Sequence, residues 1–225
     1  MDDKIVLFGK GFTRRLADDS YTTTAQAPAM RELRAYWEGL RQNGDIPIRD
    51  AIDPRGIAGA LERVFMIERI APGLARFRLV GSQITDLVGC EVRGMPFTAL
   101  FDPDGRRKIG ALLESLFTDP VIQNIDLDAE RGIGKPALSG HLMLLPLMSQ
   151  GGKVDLALGC LALDGPIGRA PRRFAIARTR AEKLTPDAVK AAPVLREFAE
   201  PQHEYAMPRP PRSAGWPLRL VRSAD

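Results

Sequence analysis

The sequence predicts an α+β fold, in which a five-stranded antiparallel sheet carries helices on one face and is preceded by an N-terminal helix. Three observations predict this fold. An amphipathic helical pattern comes first, two strand patterns follow, and several helical segments then lead to three further strand patterns. Strands on both sides of a helical insertion are typical of an antiparallel sheet with helices packed on one face. The 225 residues are enough for one such domain with flanking segments.

The N-terminal helix is predicted to begin at Ala27. Apolar and aromatic residues recur there at spacings of three and four, as on one face of a helix; they are Met30, Leu33, Tyr36 or Trp37, and Leu40. Asn43-Gly44 is expected to end the helix, because both residues accept the left-handed backbone conformation. The stripe formed by Leu33, Tyr36, Trp37 and Leu40 suits either pairing across a dimer or docking on the chain's own sheet. The sequence leaves both interpretations open.

A connector joins this helix to the first strand. Pro47 and Pro54 prevent a continuous helix across it. Asp53 before Pro54 predicts an N-cap and a short helix over about residues 54–61. The connector also carries a charged cluster, Arg49, Asp50 and Asp53. We interpret the cluster first as caps with a local ion pair, and second as a connector that passes a signal from the helix to the sheet.

The sheet is predicted from five strand patterns, at residues 63–70, 74–81, 121–129, 137–149 and 154–163. The first two are close enough in sequence to form a hairpin. In the second, Phe77 and Leu79 alternate with Arg76 and Arg78. We therefore expect Phe77 and Leu79 to share one face of the sheet.

Helices are predicted between the second and third strands. Two short ones lie near residues 84–87 and 97–100, and a longer one spans about 103–117. Asp102-Pro103 opens the longer helix as its cap and first residue.

Charge is distributed unevenly along the chain. Residues 1–165 contain 20 Lys and Arg against 22 Asp and Glu, whereas residues 166–225 contain 12 against 6. We predict four segments: a flexible arm (1–26), the leader helix with its connector (27–61), the folded core (62–164), and a basic, Pro- and Arg-rich C-terminal extension (165–225) with a helix near 186–198. A basic extension either stays solvated or contacts nucleic acid, anionic lipid or an acidic partner.

The N-terminal stretch MDDKIVLFGKGF has four consecutive apolar residues and is not typical of a secretory or transit peptide. The longest apolar run, HLMLLPLM, is interrupted by Pro146 and is shorter than the roughly 20 residues that a membrane-spanning helix needs. We expect a cytoplasmic protein. Cys90 and Cys160 lack CxxC spacing and are expected to be reduced thiols.

The glycines of FRLVGSQITDLVGCEVRG do not predict a nucleotide site. The stretch has neither the GxxxxGK[ST] spacing of a phosphate-binding loop nor the GxGxxG of a dinucleotide fold. His141 lies alone in an apolar strand, which is typical of a hydrogen-bonded core or edge histidine, with a ligand-binding role as the alternative. Two histidines and two dispersed cysteines do not predict a zinc site. No converging catalytic groups are evident, so we expect neither catalysis nor a bound metal.

Two stretches resemble the PAS domain family. ITDLVGCEVRGMPFTALFDPDGRRKIGALLESLF is similar to the PAS pattern in which glycines and a phenylalanine precede a Leu-Phe-x-Pro-Asp turn; the matching residues are Gly89, Gly94, Phe97, Leu100, Phe101, Pro103 and Asp104. The upstream stretch resembles the YW…LR…IPxRxxIDP leader of a PAS subfamily common in alphaproteobacteria. Its matching residues are Tyr36, Trp37, Leu40, Arg41, Ile46, Pro47, Arg49, Ile52, Asp53, Pro54, Ile57 and Leu61. Together the two resemblances cover about residues 30–163.

The resemblance implies a ligand pocket between the inner sheet face and the small helices. The residues expected to line it are Phe77, Leu79, Phe97, Phe101, Leu113, Phe117, His141 and Met143. A flavin is not expected, because GCEVRGMPF differs from the GRNCRFLQ-like motif of light-sensing PAS domains. Haem is not expected either, because the long helix has no histidine. The identity of any other cofactor stays open.

The resemblance also implies a non-catalytic sensory or regulatory protein that binds a small molecule, signalling partners, or both. The partners it implies are a histidine kinase, another PAS protein or a second copy in a homodimer. An alternative is a regulator that contacts nucleic acid or a nucleotide second messenger through the basic C-terminal extension.

Overall fold

The leader helix forms where the sequence predicts it. The computed structural model describes residues 27–41 and 44–184, and α1 spans Ala27–Leu40. The helix ends three residues before the predicted Asn43-Gly44 pair. Gly44 has a left-handed backbone with a φ of 83°, and Asn43 lies outside the described residues. The predicted arm at 1–26 and the predicted helix near 186–198 lie outside the described residues.

In the part of the chain that the structure describes, six strands form one antiparallel sheet in the order β2-β1-β5-β4-β3-β6. The strands are β1 (Val64–Ala71), β2 (Leu74–Val80), β3 (Val121–Ala129), β4 (Ser139–Met148), β5 (Val154–Asp164) and β6 (Phe174–Lys183). The predicted α+β class and all five predicted strands are confirmed. The sixth strand, β6, consists of residues that the sequence analysis assigned to the C-terminal extension.

The helices between β2 and β3 follow the predicted caps. They are α2 (Ser82–Val88), a 3-10 helix at Phe97–Leu100, and α3 (Pro103–Thr118). The Asp102 carboxylate accepts a hydrogen bond of 2.6 Å from the backbone N–H of Gly105, which caps α3 as expected. Gly89 ends α2 with a φ of 80°, a conformation that a residue with a Cβ rarely adopts.

The connector forms short 3-10 helices in place of the single predicted helix. They span Arg49–Ala51, Pro54–Ile57 and Leu61–Arg63. Asp53 caps the second of them by accepting a hydrogen bond of 2.9 Å from the backbone N–H of Arg55. The predicted cap is therefore confirmed, and the helix that it opens is shorter than predicted.

Apolar side chains are buried on both faces of the sheet, which gives the domain two cores. One core, on the face that we call inner, includes residues of α2 and α3 such as Ile84 and Leu113. The other, on the outer face, includes Leu33 and Trp37 of α1. Within the described residues, no helix is long and apolar enough to cross a membrane.

Candidate functional site

Four phenylalanines occupy the space between the inner sheet face and the helices, where the sequence analysis places a ligand pocket. Phe65 and Phe77 come from β1 and β2, and Phe97 and Phe101 come from the 3-10 helix and the residue after it. Their ring centroids are 5.4–5.6 Å apart in four neighbouring pairs, which is the range of aromatic contact. Each side chain is at most 1% exposed. We call these residues the phenylalanine cluster.

Phe65 reaches into this space because a glycine lies across from it. Phe65 pairs with Gly159 of β5 in the sheet. A Cβ added at Gly159 would lie 2.2 Å from Cζ of Phe65, so the ring occupies the volume that a side chain at 159 would take. Phe65 is not among the predicted pocket residues, because the continuous apolar run around it does not reveal which residues face which side of the sheet.

Five of the eight predicted pocket residues meet in the inner core. Phe77, Phe97, Phe101, Leu113 and Phe117 belong to one buried cluster and are between 0% and 6% exposed. These five side chains therefore lie on the inner face of the sheet, and their part in lining a ligand pocket stays a prediction. As part of one packed cluster, they contact protein side chains on the inner face.

Leu79 does not join them, and the prediction that it shares a face with Phe77 is wrong. In the β1–β2 register Met66 pairs with Leu79 and Ile67 pairs with Phe77, so Arg78 is an extra residue in β2. Such a bulge reverses the alternation of side chains. Leu79 consequently lies opposite Met66 at the outer face, where it is 51% exposed.

His141 and Met143 also lie on the outer face, so their predicted place in an inner pocket is wrong. Met143 packs in the outer core. His141 lies two residues away along β4, and its Nδ1 is 2.6 Å from Oδ1 of Asp126 on β3. Oδ2 of the same carboxylate is 4.0 Å from Nε of Arg178 on β6. The histidine is thus the hydrogen-bonded strand residue that the sequence favours.

In the structure α1 docks on the chain's own sheet, which is one of the two interpretations that the sequence leaves open. Leu33 and Trp37 are completely buried in the outer core. The indole N–H of Trp37 donates a hydrogen bond of 3.0 Å to the carbonyl of Pro146 in β4. Tyr36 and Leu40 are half-buried beside them. Leu33 and Trp37 are therefore unavailable as a dimer surface in this structure.

An ion pair joins α1 to the edge of the sheet. The Arg34 guanidinium donates hydrogen bonds of 3.0 and 2.7 Å to the two carboxylate oxygens of Glu182 in β6. The hydrogen bond from Arg34 holds the pKa of the Glu182 carboxyl below its usual value. The same guanidinium pairs with Glu38 one helical turn further along α1.

The predicted connector cluster lies at a junction between α1 and the β4–β5 turn. Arg49 and Asp50 form an exposed ion pair at 3.2 Å, and Asp50 accepts a hydrogen bond of 2.6 Å from the side-chain amide of Gln150. The backbone N–H of Asp53 donates to the Tyr36 hydroxyl at 2.6 Å. The connector therefore touches both α1 and the sheet, as its proposed role in passing a signal requires.

The described residues offer little reactive chemistry. They contain no group of three or more His, Cys, Asp or Glu side chains that could hold a metal ion. Burial raises the pKa of the Cys160 thiol to about 12, so this thiol stays protonated at neutral pH. Cys90 is exposed.

The basic excess of the C-terminal quarter is concentrated in β6 and in the residues that lead into it. Residues 166–184 contain six Lys and Arg against one Glu, whereas residues 185–225 contain six against five Asp and Glu. Arg172 is 1% exposed and donates to the carbonyls of Glu130, Pro136 and Ile167. This arginine holds two loops together, so part of the predicted basic extension is structural.

Comparison with known proteins gives a family match. A family model described as PAS domain matches residues 25–162, which include α1, the connector and β1 to nearly the end of β5. A solved structure described as "Flavin Analogue Sheds Light on Light-Oxygen-Voltage Domain Mechanism" is 16% identical, with a TM-score of 0.36 over 49% of this chain and 83% of that chain. No curated protein matches the sequence. Since the family model spans more than half of the chain, this protein belongs to the PAS domain family.

Proposed function

We propose that this PAS protein is a non-catalytic regulator that acts by binding a signalling protein. PAS membership supports a sensory or regulatory role. The observation that carries the choice of a protein partner is the phenylalanine cluster, whose rings take the space in which a small molecule would lie. The YW…LR leader supports the finer proposal that the chain belongs to the alphaproteobacterial subfamily.

The proposed path for a signal runs through α1 and its connector. Trp37 holds α1 on β4, and Arg34 holds it on β6. A partner that moves α1 therefore changes contacts on two strands at once, and the hydrogen bond between Asp50 and Gln150 extends the effect to the β4–β5 turn. No flavin or haem is part of the proposal, because Cys90 is exposed and α3 contains no histidine.

The test is native mass spectrometry of the full chain purified from its own host. The expected species are the 24.7 kDa chain, alone or bound to another protein, without an added small-molecule mass. A stoichiometric small molecule that leaves on denaturation would instead support a ligand sensor. A second copy of the chain would support the homodimer.

The nucleic-acid alternative has its own test, which the structure sharpens. A truncation should begin after Leu184, because an earlier one would remove strand β6. If residues 185–225 contact nucleic acid, the truncated protein should lose a binding activity that falls steeply with salt. Binding that survives this truncation would exclude those residues as the contact.

A further inference from the structure

Strand β6 is the last strand of the sheet that the described residues form, and no other part of residues 27–41 and 44–184 pairs with most of its outer edge. Among the described residues β6 pairs with β3 along one side. On its other side, Phe174 is the one residue of β6 that is bridged to another described residue, which is Phe101. Residues 177–183 are exposed. An edge of this kind presents unpaired backbone groups to which another extended chain can add.

The hydrogen bonds to β3 show which backbone groups face outward. The backbone N–H of Glu130, the residue after β3, donates to the carbonyl of Arg173, the residue before β6. Because successive residues of a strand direct their backbone groups to alternate sides, the even-numbered residues of β3 direct theirs towards β6. Their partners are Ala175, Arg178, Arg180 and Glu182. The residues that alternate with Arg178, Arg180 and Glu182 along β6 direct their backbone groups away from the sheet. They are Thr179, Ala181 and Lys183.

The side chains along this edge are basic and largely uncompensated. Glu182 is already bound by Arg34, and Arg178 lies 4.0 Å from Asp126. Within the described part of the chain, Arg180 and Lys183 take part in none of the ion pairs. The charge of this edge is therefore complementary to an acidic partner.

A second copy of the chain is a poor occupant of the same edge. If the β6 strands of two copies paired antiparallel about Thr179, Arg178 of one copy would lie opposite Arg180 of the other. If they paired about Arg180, the two copies of Arg180 would lie opposite each other. Like charges directly opposite each other destabilise a sheet. Pairing centred on Ala181 would oppose Arg180 to Glu182, whose carboxylate is engaged by α1. Residues 185–225 are not acidic either, with six basic against five acidic side chains.

We propose that an extended acidic segment of the signalling partner adds to β6 as a further strand. Backbone hydrogen bonds to Thr179, Ala181 and Lys183 would hold the segment, and its carboxylates would meet Arg180 and Lys183. This inference rests on the proposed function and adds the surface and the chemistry of the partner. A basic edge alone would also attract nucleic acid, but the open backbone groups favour a peptide.

The probe is a fluorescently labelled synthetic peptide of repeating Glu-Glu-Val-Val, as long as β6, which places carboxylates on both faces of the added strand. It is titrated with the full chain and followed by fluorescence anisotropy. Two probes of matched charge separate the mechanisms. The first is the same peptide with alternate backbone nitrogens methylated, which cannot complete a strand ladder, and the second is an oligo-dT of equal charge. We expect the unmodified peptide to bind about tenfold or more tightly than either control.

Variants of the chain test the same edge. Ala181→Pro removes an outward backbone N–H without changing charge, at a position where an edge strand tolerates proline. Arg180→Glu with Lys183→Glu reverses the local charge, and Arg55→Glu with Arg93→Glu is the matched control on exposed residues outside β6. We expect the first two proteins to bind about tenfold or more weakly and the control to bind like the wild type. Thermal unfolding checks that each variant is folded.

Each other outcome overturns the inference. Equal binding of the methylated peptide, or unchanged binding by Ala181→Pro, would show a contact through charge alone. Equal binding of oligo-dT would assign the edge to nucleic acid. A dimer that Ala181→Pro disrupts, measured by light scattering without peptide, would assign it to a second copy. If the peptide fails to bind while native mass spectrometry still finds a bound protein, the inference fails and the proposed function stands.

Discussion

Replacing Trp37 with alanine removes the residue that fastens α1 to the outer sheet face. The indole is completely buried, and its N–H donates to the Pro146 carbonyl at 3.0 Å. Truncating a buried tryptophan costs about 3–5 kcal/mol, and a buried carbonyl left without its donor accounts for about 1–3 kcal/mol. We expect the free energy of unfolding to fall by about 4 kcal/mol.

Urea unfolding followed by far-ultraviolet circular dichroism measures this loss, at two widely separated protein concentrations. Because the contact lies within one chain, the loss should not depend on concentration. Leu79→Ala is the control, because it truncates an apolar side chain that is 51% exposed, and its effect should stay within about 0.5 kcal/mol. A loss of less than about 1 kcal/mol for Trp37→Ala would refute the docking of α1. A loss seen only at high concentration would show that the helix pairs between chains.

Two further predictions concern the sheet and its edge. Gly159→Ala should destabilise the protein by about 1–3 kcal/mol in urea unfolding, because the new methyl would lie 2.2 Å from Cζ of Phe65. The control is Gly39→Ala in α1, where no atom lies within 4 Å of the added Cβ. It should instead stabilise the protein by up to about 1 kcal/mol. Equal effects at the two glycines would contradict the packing around Phe65. Glu182→Gln should reduce the free energy of unfolding near neutral pH. Arg34 lowers the pKa of the Glu182 carboxyl in the folded protein, and a carboxyl with a lowered pKa stabilises the folded state at pH values above the pKa that it has in the unfolded chain. The difference from wild type should shrink as pH falls through the lowered pKa, and a difference that persists in acid would contradict the ion pair.

Local physical chemistry determines the parts of the fold that the sequence predicts well. Asp102 and Asp53 each precede a proline, and each caps a helix through an N–H two or three residues later. Apolar periodicity correctly locates α1 and α3, because one face of each is buried. These features depend on residues close together in the chain, so no tertiary information is needed.

The parts that the sequence does not predict depend on distant residues. The extra residue at Arg78 is visible only in the pairing of β1 with β2, and it alone reverses the face of Leu79. In β6 only Phe174 and Ile176 are buried. Its sequence therefore resembles that of an exposed polar segment, and only its pairing with β3 identifies it as a strand. The choice of α1 between its own sheet and a partner depends on Pro146, 109 residues away along the chain from Trp37.

The proposed function depends most directly on whether the four rings of the phenylalanine cluster leave room for a small molecule. The measurement is a crystal structure of the protein purified from its own host and pressurised with xenon, which enters apolar cavities of the size that an engineered truncation leaves. We expect the four rings to be in mutual contact with no xenon among them, and we expect a xenon site at that position in the Phe97→Ala variant. Xenon or a retained small molecule among the rings of the wild-type protein would contradict this expectation.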